Sequence, residues 1–115
     1  MKIAVASDDR ITIADHFGRA TGFVVFEIQN NEIVKQEYRE NIGKSTGGCQ
    51  SCDHETMIKN IKDCAMVISY GMGRRIYNDL MKNNIQPVVT NEKSVVDAIN
   101  KFIKNELDNR VDKLH

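Results

Sequence analysis

The alternation of strand and helix patterns in the second half of the chain restricts the fold more than any other feature. A short apolar run from Ala65 to Tyr70 is typical of a buried strand. Helical spacing follows from Arg74 to Asn83, then a short strand from Gln86 to Thr90. Ser94 is a typical N-cap for a third helix, with Asp97 at the capping-box position. Strands that are joined through helices run parallel with right-handed crossovers, so this half predicts parallel strands covered by helices.

The first half predicts antiparallel strands. Lys2 to Ser7 is apolar on both faces, as expected of a central strand. Phe23 to Ile28 is rich in aromatic and β-branched residues, and Gln29 to Glu32 predicts a tight turn because Asn tolerates positive φ. Ile33 to Tyr38 is more polar and therefore predicts an edge strand. A further helix is predicted over residues 53–63, with Asp53 as its N-cap. The sequence thus predicts an α/β fold with a mixed five-stranded sheet, an N-terminal antiparallel hairpin and three helices.

Length and charge exclude several classes of protein. A chain of 115 residues predicts one domain, which we place at residues 1–103, followed by a charged C-terminal tail at residues 104–115 that frays. Lys plus Arg and Asp plus Glu both number 16, so there is no basic surplus for a nucleic-acid partner. The sequence has neither a membrane-spanning apolar run nor a signal peptide, and we expect a cytoplasmic protein without a membrane partner.

The stretch from Gly43 to His54 reads G-K-S-T-G-G-C-Q-S-C-D-H and is poor in large apolar side chains. Such a segment pays a conformational entropy cost to order, so we expect Gly43 to Cys52 to be among the least ordered segments without metal. Cys49 and Cys52 form a C-x-x-C, and His54 follows closely, which predicts a metal or cluster site in a cytosolic protein. A pair of free thiols or a reversible disulfide is the alternative.

A Cys2His2 site would need one further ligand, and His16 in D-H-F-G-R-A is the obvious donor. A lone histidine in a polar loop is more often a hydrogen-bonded loop residue than a ligand. Cys64 begins a buried strand and is expected to behave as a small apolar residue, outside any site.

Gly71-Met72-Gly73 lies between a predicted strand and a predicted helix. The backbone N–H groups at such a helix start, beside Arg74 and Arg75, form an anion site. A dinucleotide fingerprint is not completed, because Ile76 stands where its third glycine would be. The alternative is a tight turn with two solvated arginines.

Four motifs together carry a family resemblance: M-K-I-A-V-A-S-D-D at the start, D-H-F-G-R-A, V-I-S-Y-G-M-G-R-R-I-Y and P-V-V-T. In this order, over Met1 to Phe102, the chain closely resembles the dinitrogenase iron–molybdenum cofactor biosynthesis family, the NifX/NafY-like domain. The resemblance implies a ribonuclease-H-like fold and a non-enzymatic role in binding, carrying or inserting an iron–sulfur or iron–molybdenum cluster precursor. It also implies that His16 binds the cofactor, and it places the C-x-x-C of small members on Cys49 and Cys52.

The leading hypothesis is therefore a small metallocluster carrier that meets cluster donor and acceptor proteins. The proposed metal ligands are His16, Cys49, Cys52 and His54. The proposed cofactor-binding residues are His16, Gly71, Gly73, Arg74 and Arg75, and Gly47 and Gly48 also allow a close backbone approach. A thiol redox protein that uses the C-x-x-C and a zinc-stabilised interaction module are the alternatives.

Overall fold

One mixed sheet organises the structure, a computed structural model that describes residues 1–41 and 54–110, except for the side chain of His54. The five strands lie in the order β3-β2-β1-β4-β5. They are β1 (Lys2–Ser7), β2 (Gly22–Gln29), β3 (Glu32–Glu40), β4 (Met66–Ser69) and β5 (Gln86–Val89). The helices are α1 (His54–Asn60), α2 (Arg74–Lys82) and α3 (Val95–Ile103), and a short 3-10 helix covers Phe17–Arg19.

The predicted α/β architecture, with five mixed strands and three helices, is confirmed. β1 pairs antiparallel with β2 and parallel with β4, so it is central, as its apolar faces predict. Asn30 and Asn31 close the β2–β3 hairpin at φ 53° and 63°, which is the positive-φ turn expected of two asparagines. Ser94 caps α3, since its Oγ accepts a hydrogen bond from the Asp97 N–H (3.3 Å).

The first helix is shorter than its apolar pattern predicts. α1 ends at Asn60, three residues before the predicted end, and a tight turn follows in which the Cys64 N–H donates to the Ile61 carbonyl (2.9 Å). This turn delivers the chain to β4, where the Ala65 N–H donates to the Lys2 carbonyl (2.8 Å). The predicted N-cap, Asp53, lies outside the described residues. None of the helices within the described ranges is long and apolar enough to cross a membrane.

The sheet has an apolar core on each face. One face packs against α1 and α2, and its buried members include Ala4, Ala6, Phe17, Phe23, Val25, Met57, Ile61 and Leu80. The other face packs against α3, with Ile3, Val5, Val24, Phe26, Ile68, Val88 and Ile99. β1 contributes to both cores through alternate side chains, which explains its continuous apolar sequence.

The chain after α3 is held against β5, so the expected fraying from Lys104 is wrong for residues 104–110. Asp108 accepts hydrogen bonds from the Thr90 hydroxyl (2.6 Å) and the Asn91 N–H (3.1 Å). The Asn109 side-chain oxygen accepts from the Val89 N–H (3.1 Å). The physical reason is that β5 lies at the edge of the sheet and offers backbone groups that need partners. The division into a domain at residues 1–103 and a tail at residues 104–115 remains a prediction.

Candidate functional site

Several loops meet where β1 and β4 end. These strands run parallel, so their carboxyl ends lie at the same end of the sheet, and the antiparallel β2 begins there. The loop of residues 8–21 joins β1 to β2 at this end, and the turn of residues 70–73 joins β4 to α2. Ligands of α/β proteins bind outside the carboxyl ends of the strands. This end of the sheet is therefore the candidate site.

The D-H-F-G-R-A loop is anchored by an apolar side chain. Phe17 is fully buried, and its ring centroid lies 5.3 Å from that of Phe23 on β2. His16 immediately precedes the 3-10 helix in extended conformation and is half-buried. Burial of the Phe17 ring therefore anchors the backbone next to His16.

Backbone hydrogen bonds tie this loop to the β4–α2 turn. The Phe17 N–H donates to the Gly71 carbonyl (3.0 Å), and the Tyr70 N–H donates to the Ala14 carbonyl (3.2 Å). The Ser69 hydroxyl also donates to the Gly71 carbonyl (3.1 Å). The residue after His16 is thus bonded directly to the G-M-G turn. The structure brings His16 into the same neighbourhood as Gly71, although the two are far apart in sequence.

The two aspartates after β1 organise the loop. One Asp9 carboxylate oxygen accepts hydrogen bonds from the Ile11 N–H (2.9 Å) and the Thr12 N–H (2.7 Å). These bonds favour the charged form, so the pKa of Asp9 lies below its usual value. The Asp8 carboxylate accepts from the Thr21 N–H (2.7 Å) and closes the other end of the loop. Both acids have structural partners.

The start of α2 has the composition of an anion site. Gly73 is the N-cap and has no side chain to cap the helix, and the first turn contains no acidic residue. Arg74 and Arg75 begin the helix, and both are exposed. Positive side chains at a helix N-terminus oppose the helix dipole, and violations of a local rule tend to mark functional positions. The backbone N–H groups and both guanidinium groups can receive an anion.

Sequence reasoning missed Asn41, which follows β3. Its side chain is only 3% exposed, and its Nδ2 donates to the Ala20 carbonyl (3.0 Å). Its backbone N–H donates to the Thr21 carbonyl (2.9 Å). Among the described residues, its Oδ1 has no hydrogen-bond partner. Asn41 therefore fastens the end of the H-F-G-R-A loop at the point where the chain leaves β3 toward the C-x-x-C. No local sequence pattern predicts this role of Asn41, because its hydrogen-bond partners lie some 20 residues earlier in the chain.

The structure unites only part of the predicted site. His16 lies in the first of the two bonded loops, Gly71 and Gly73 lie in the second, and Arg74 and Arg75 begin the helix that follows it. The backbone of His54 begins α1. Cys49 and Cys52, and with them the predicted low order of Gly43 to Cys52, lie outside the described residues. In residues 1–41 and 54–110, no three His, Cys, Asp or Glu side chains form a group that could hold a metal ion.

Cys64 is buried, as its position in sequence predicts. Its side chain is 3% exposed, and burial raises the pKa of the thiol to about 11. A thiol with such a pKa is almost entirely protonated at neutral pH, whereas metals bind the thiolate. Cys64 is therefore a packing residue.

Comparisons with known proteins place the chain in a family. The protein MJ0580 of Methanocaldococcus jannaschii is 27% identical over 108 residues, which cover 94% of this chain and 90% of the relative. The crystal structure of PH0822 matches with a TM-score of 0.79 at 26% identity, over 97% of this chain and 96% of the other. The apo form of the orange protein from Desulfovibrio gigas shares the fold, with a TM-score of 0.73 at 20% identity over 96% and 92% of the two chains.

The sequence profile described as "Dinitrogenase iron-molybdenum cofactor" matches residues 1–105, nearly the whole chain. The match confirms the resemblance that the motifs indicate, and it associates the protein with iron–molybdenum cofactor biosynthesis or cluster binding. The chain belongs to the dinitrogenase iron–molybdenum cofactor family.

Proposed function

We propose that this protein binds an iron–sulfur or iron–molybdenum cluster precursor and carries it between cytoplasmic assembly proteins, without catalysing a reaction. The observation that carries the proposal is the hydrogen bond from the Phe17 N–H to the Gly71 carbonyl (3.0 Å). It joins the loop of His16 to the cationic start of α2, and so combines a metal-ligand residue with an anion-binding helix end. Family membership supports a cluster rather than another anion. The finer assignment of the fold as ribonuclease-H-like belongs to the same proposal.

The proposed ligands have the right chemistry for iron. Cysteine thiolates are the usual ligands of iron–sulfur clusters, and imidazole replaces thiolate in some of them. Cys49 and Cys52 supply the thiolates, and His16 and His54 supply imidazoles. Asn41 is bonded to the H-F-G-R-A loop and stands eight residues before Cys49 in the sequence.

The start of α2 balances the charge of the cargo. Thiolate-ligated clusters are anionic, and hydrogen bonds to their sulfur atoms tune their properties. Gly71 and Gly73 allow the cluster to approach the backbone N–H groups, while Arg74 and Arg75 supply positive charge. A carrier must also release its cargo to an acceptor protein. Charge balance from exposed arginines suits release, since an acceptor surface can compete for them.

Anaerobic reconstitution with iron, sulfide and molybdate tests the proposal. We expect the wild-type protein to take up metal and sulfide and to develop visible absorption. The Cys49→Ala/Cys52→Ala double variant and His16→Ala should each lose most of the bound metal. Cys64→Ala is the matched control, because it removes a thiol that is buried away from the site. The carrier proposal fails if wild type and the double variant both stay colourless and metal-free.

The thiol redox alternative has its own test. The reduction potential of a Cys49–Cys52 disulfide can be measured against glutathione, together with disulfide reductase activity. A potential near that of thioredoxin with measurable reductase activity would favour redox chemistry. Zinc analysis of the purified protein, with the shift of its melting temperature by chelator, tests the zinc-stabilised module, which nothing in the described residues favours.

A further inference from the structure

β3 exposes a long backbone edge. It has nine residues, and in the described part of the chain it pairs with β2 alone. Seven of its nine residues are exposed, and the other two, Tyr38 and Arg39, are half-buried. Unpaired edges of this length are templates for pairing with another strand. The register and the charges of β3 decide which strand fits this edge.

The hydrogen-bond register shows which β3 residues turn outward. The Ile28 N–H donates to the Met1 carbonyl (2.7 Å), so the backbone N–H and C=O groups of Ile28 and of alternate residues before it point toward β1. The backbone groups of Glu27, Val25 and Phe23 therefore point toward β3. The β3 partners of these three are Lys35, Glu37 and Arg39, and their backbone groups bond to β2. The backbone groups of Gln36 and Tyr38 therefore point away from the sheet.

The carboxyl end of this edge is already covered. The Asn60 side chain of α1 donates to the Glu40 carbonyl (2.7 Å), and the Arg39 guanidinium donates to the Asn60 carbonyl (2.9 Å). At the other end, the register shifts between Glu27 and Ile28, where β3 carries an extra residue, Val34. The regular open stretch thus runs from Lys35 to Tyr38.

We propose that β3 pairs with β3 of a second copy of this chain, antiparallel about a two-fold axis at Gln36. In this register the outward backbone groups of the two Gln36 residues bond to each other. Lys35 of each copy lies opposite Glu37 of the other, so two cross-strand ion pairs form on one face. An axis at Lys35 would oppose two lysines, and an axis at Glu37 would oppose two glutamates. An axis at Tyr38 would collide with the Asn60 contact at Glu40. The charges of β3 and the contact of Asn60 at its carboxyl end both favour a two-fold axis at Gln36.

Apolar exposure agrees with this register. Val34, the extra residue at the register shift, is 51% exposed and adjoins the regular stretch that the second copy would cover. Ile33, next along the strand, is 42% exposed. Pairing two edges buries less surface than a standard interface, so we expect a weak, concentration-dependent dimer. The two candidate sites would lie at opposite ends of one ten-stranded sheet, and both would stay accessible. The dimer does not depend on the identity of the cargo.

Sedimentation velocity of the full chain over a range of concentrations tests the dimer, with circular dichroism to confirm that each variant is folded. The wild type should show a reversible monomer–dimer equilibrium. Lys35→Glu and Glu37→Lys each oppose like charges across the axis, so each alone should raise the dissociation constant about tenfold or more. An equimolar mixture of the two variants should dimerise again, because positions 35 and 37 carry opposite charges across the axis only in the mixed dimer.

Gln36→Pro provides a second test that does not involve charge. Proline removes the outward N–H of residue 36, which β2 does not use, so the fold should survive while the dimer is lost. Gln36→Thr keeps the N–H and should keep the dimer. The proposal is overturned if the wild-type protein remains monomeric up to about 1 mM. A dissociation constant of that size corresponds to a binding free energy of only about 4 kcal/mol. A dimer whose dissociation constant is unchanged by Lys35→Glu, Glu37→Lys and Gln36→Pro also overturns the proposal.

Discussion

The two edges of the sheet are protected in different ways. At β5, side chains from residues 108 and 109 accept hydrogen bonds from Thr90, Asn91 and the Val89 N–H, and Pro87 has no N–H to offer. At β3, the described residues cover only the carboxyl end, through Asn60, and the middle carries alternating charges. The C-terminal segment of the chain therefore covers the β5 edge. The β3 edge stays available for a strand with complementary charges. Three changes, in order of expected effect, test how independent the two edges are.

Gly22→Ala should disturb the β3 side most. A Cβ at Gly22 would overlap the Tyr38 ring and the Arg39 carbonyl oxygen, and the carbonyl belongs to the β2–β3 ladder and cannot move aside. Overpacking of this kind costs about 1–3 kcal/mol of unfolding free energy. Urea unfolding measures the loss, and Gln36→Ala on the same hairpin, which is exposed, should change stability by less than about 0.5 kcal/mol. Equal effects of the two substitutions would contradict the steric argument.

Asp63→Asn should weaken the link between β3 and the turn after α1. The Arg39 guanidinium donates to both Asp63 carboxylate oxygens (2.7 and 2.8 Å), and Lys2 donates to one of them (3.1 Å). Because the carboxylate is partly exposed, we expect a loss of about 1 kcal/mol at low salt, reduced by added salt. Unfolding experiments at two ionic strengths measure the loss. Glu32→Gln on the same strand is the control, and its stability should stay near that of wild type.

The same pair predicts a pH dependence. The hydrogen bond from Arg39 holds the pKa of Asp63 well below its usual range. A carboxyl group with a depressed folded-state pKa stabilises the fold above its unfolded pKa of about 3.9, and this contribution is lost as the pH falls further. The stability difference between wild type and Asp63→Asn should therefore shrink from pH 7 to pH 3. A difference that stays constant would show that the loss at pH 7 is not electrostatic.

Asp108→Ala should open the β5 edge at a smaller cost. The substitution removes the acceptor for the Thr90 hydroxyl and the Asn91 N–H. Because Asp108 is only half-buried, we expect a loss of about 0.5 kcal/mol, the lower end of the usual range for a hydrogen bond. Hydrogen exchange is the sharper readout, since the amides of Val89 and Asn91 should exchange faster while those of β3 do not change. Glu106→Ala, an exposed neighbour, is the control. Faster exchange on β3 as well would show that the two edges are coupled.

Local sequence patterns predicted the strands well because each strand carries its own signal. β1, β2 and β4 are apolar runs: β1 has the predicted bounds, and β2 and β4 differ from the prediction by one residue at each end. Helical spacing is less informative in α2: Met81 stands at an apolar position of the predicted helix, yet it is 47% exposed. Helical spacing shows which residues share a face, but not how much of that face a neighbouring element covers.

Contacts that a side chain makes with a residue distant in sequence could not be predicted. The Arg39–Asp63 pair joins residues 24 positions apart, and the Asn41–Ala20 contact spans 21. The candidate site divides in the same way. The G-M-G-R-R turn predicted an anion-binding helix start locally, whereas the link between Phe17 and Gly71 follows only from the order of the strands. The positions of Cys49 and Cys52 relative to His16 remain a prediction.

The joining of the two site loops through main-chain atoms has a consequence for variation of the protein. The bonds from Phe17 to Gly71 and from Tyr70 to Ala14 use no side-chain atom. Substitutions at His16, Arg74 or Arg75 can therefore alter the chemistry of the site and leave the relative placement of the loops unchanged. The frame would tolerate a library that is randomised at those positions, provided that Phe17 is kept. Both evolution and an engineer could change the chemistry of this candidate site without having to rebuild the scaffold.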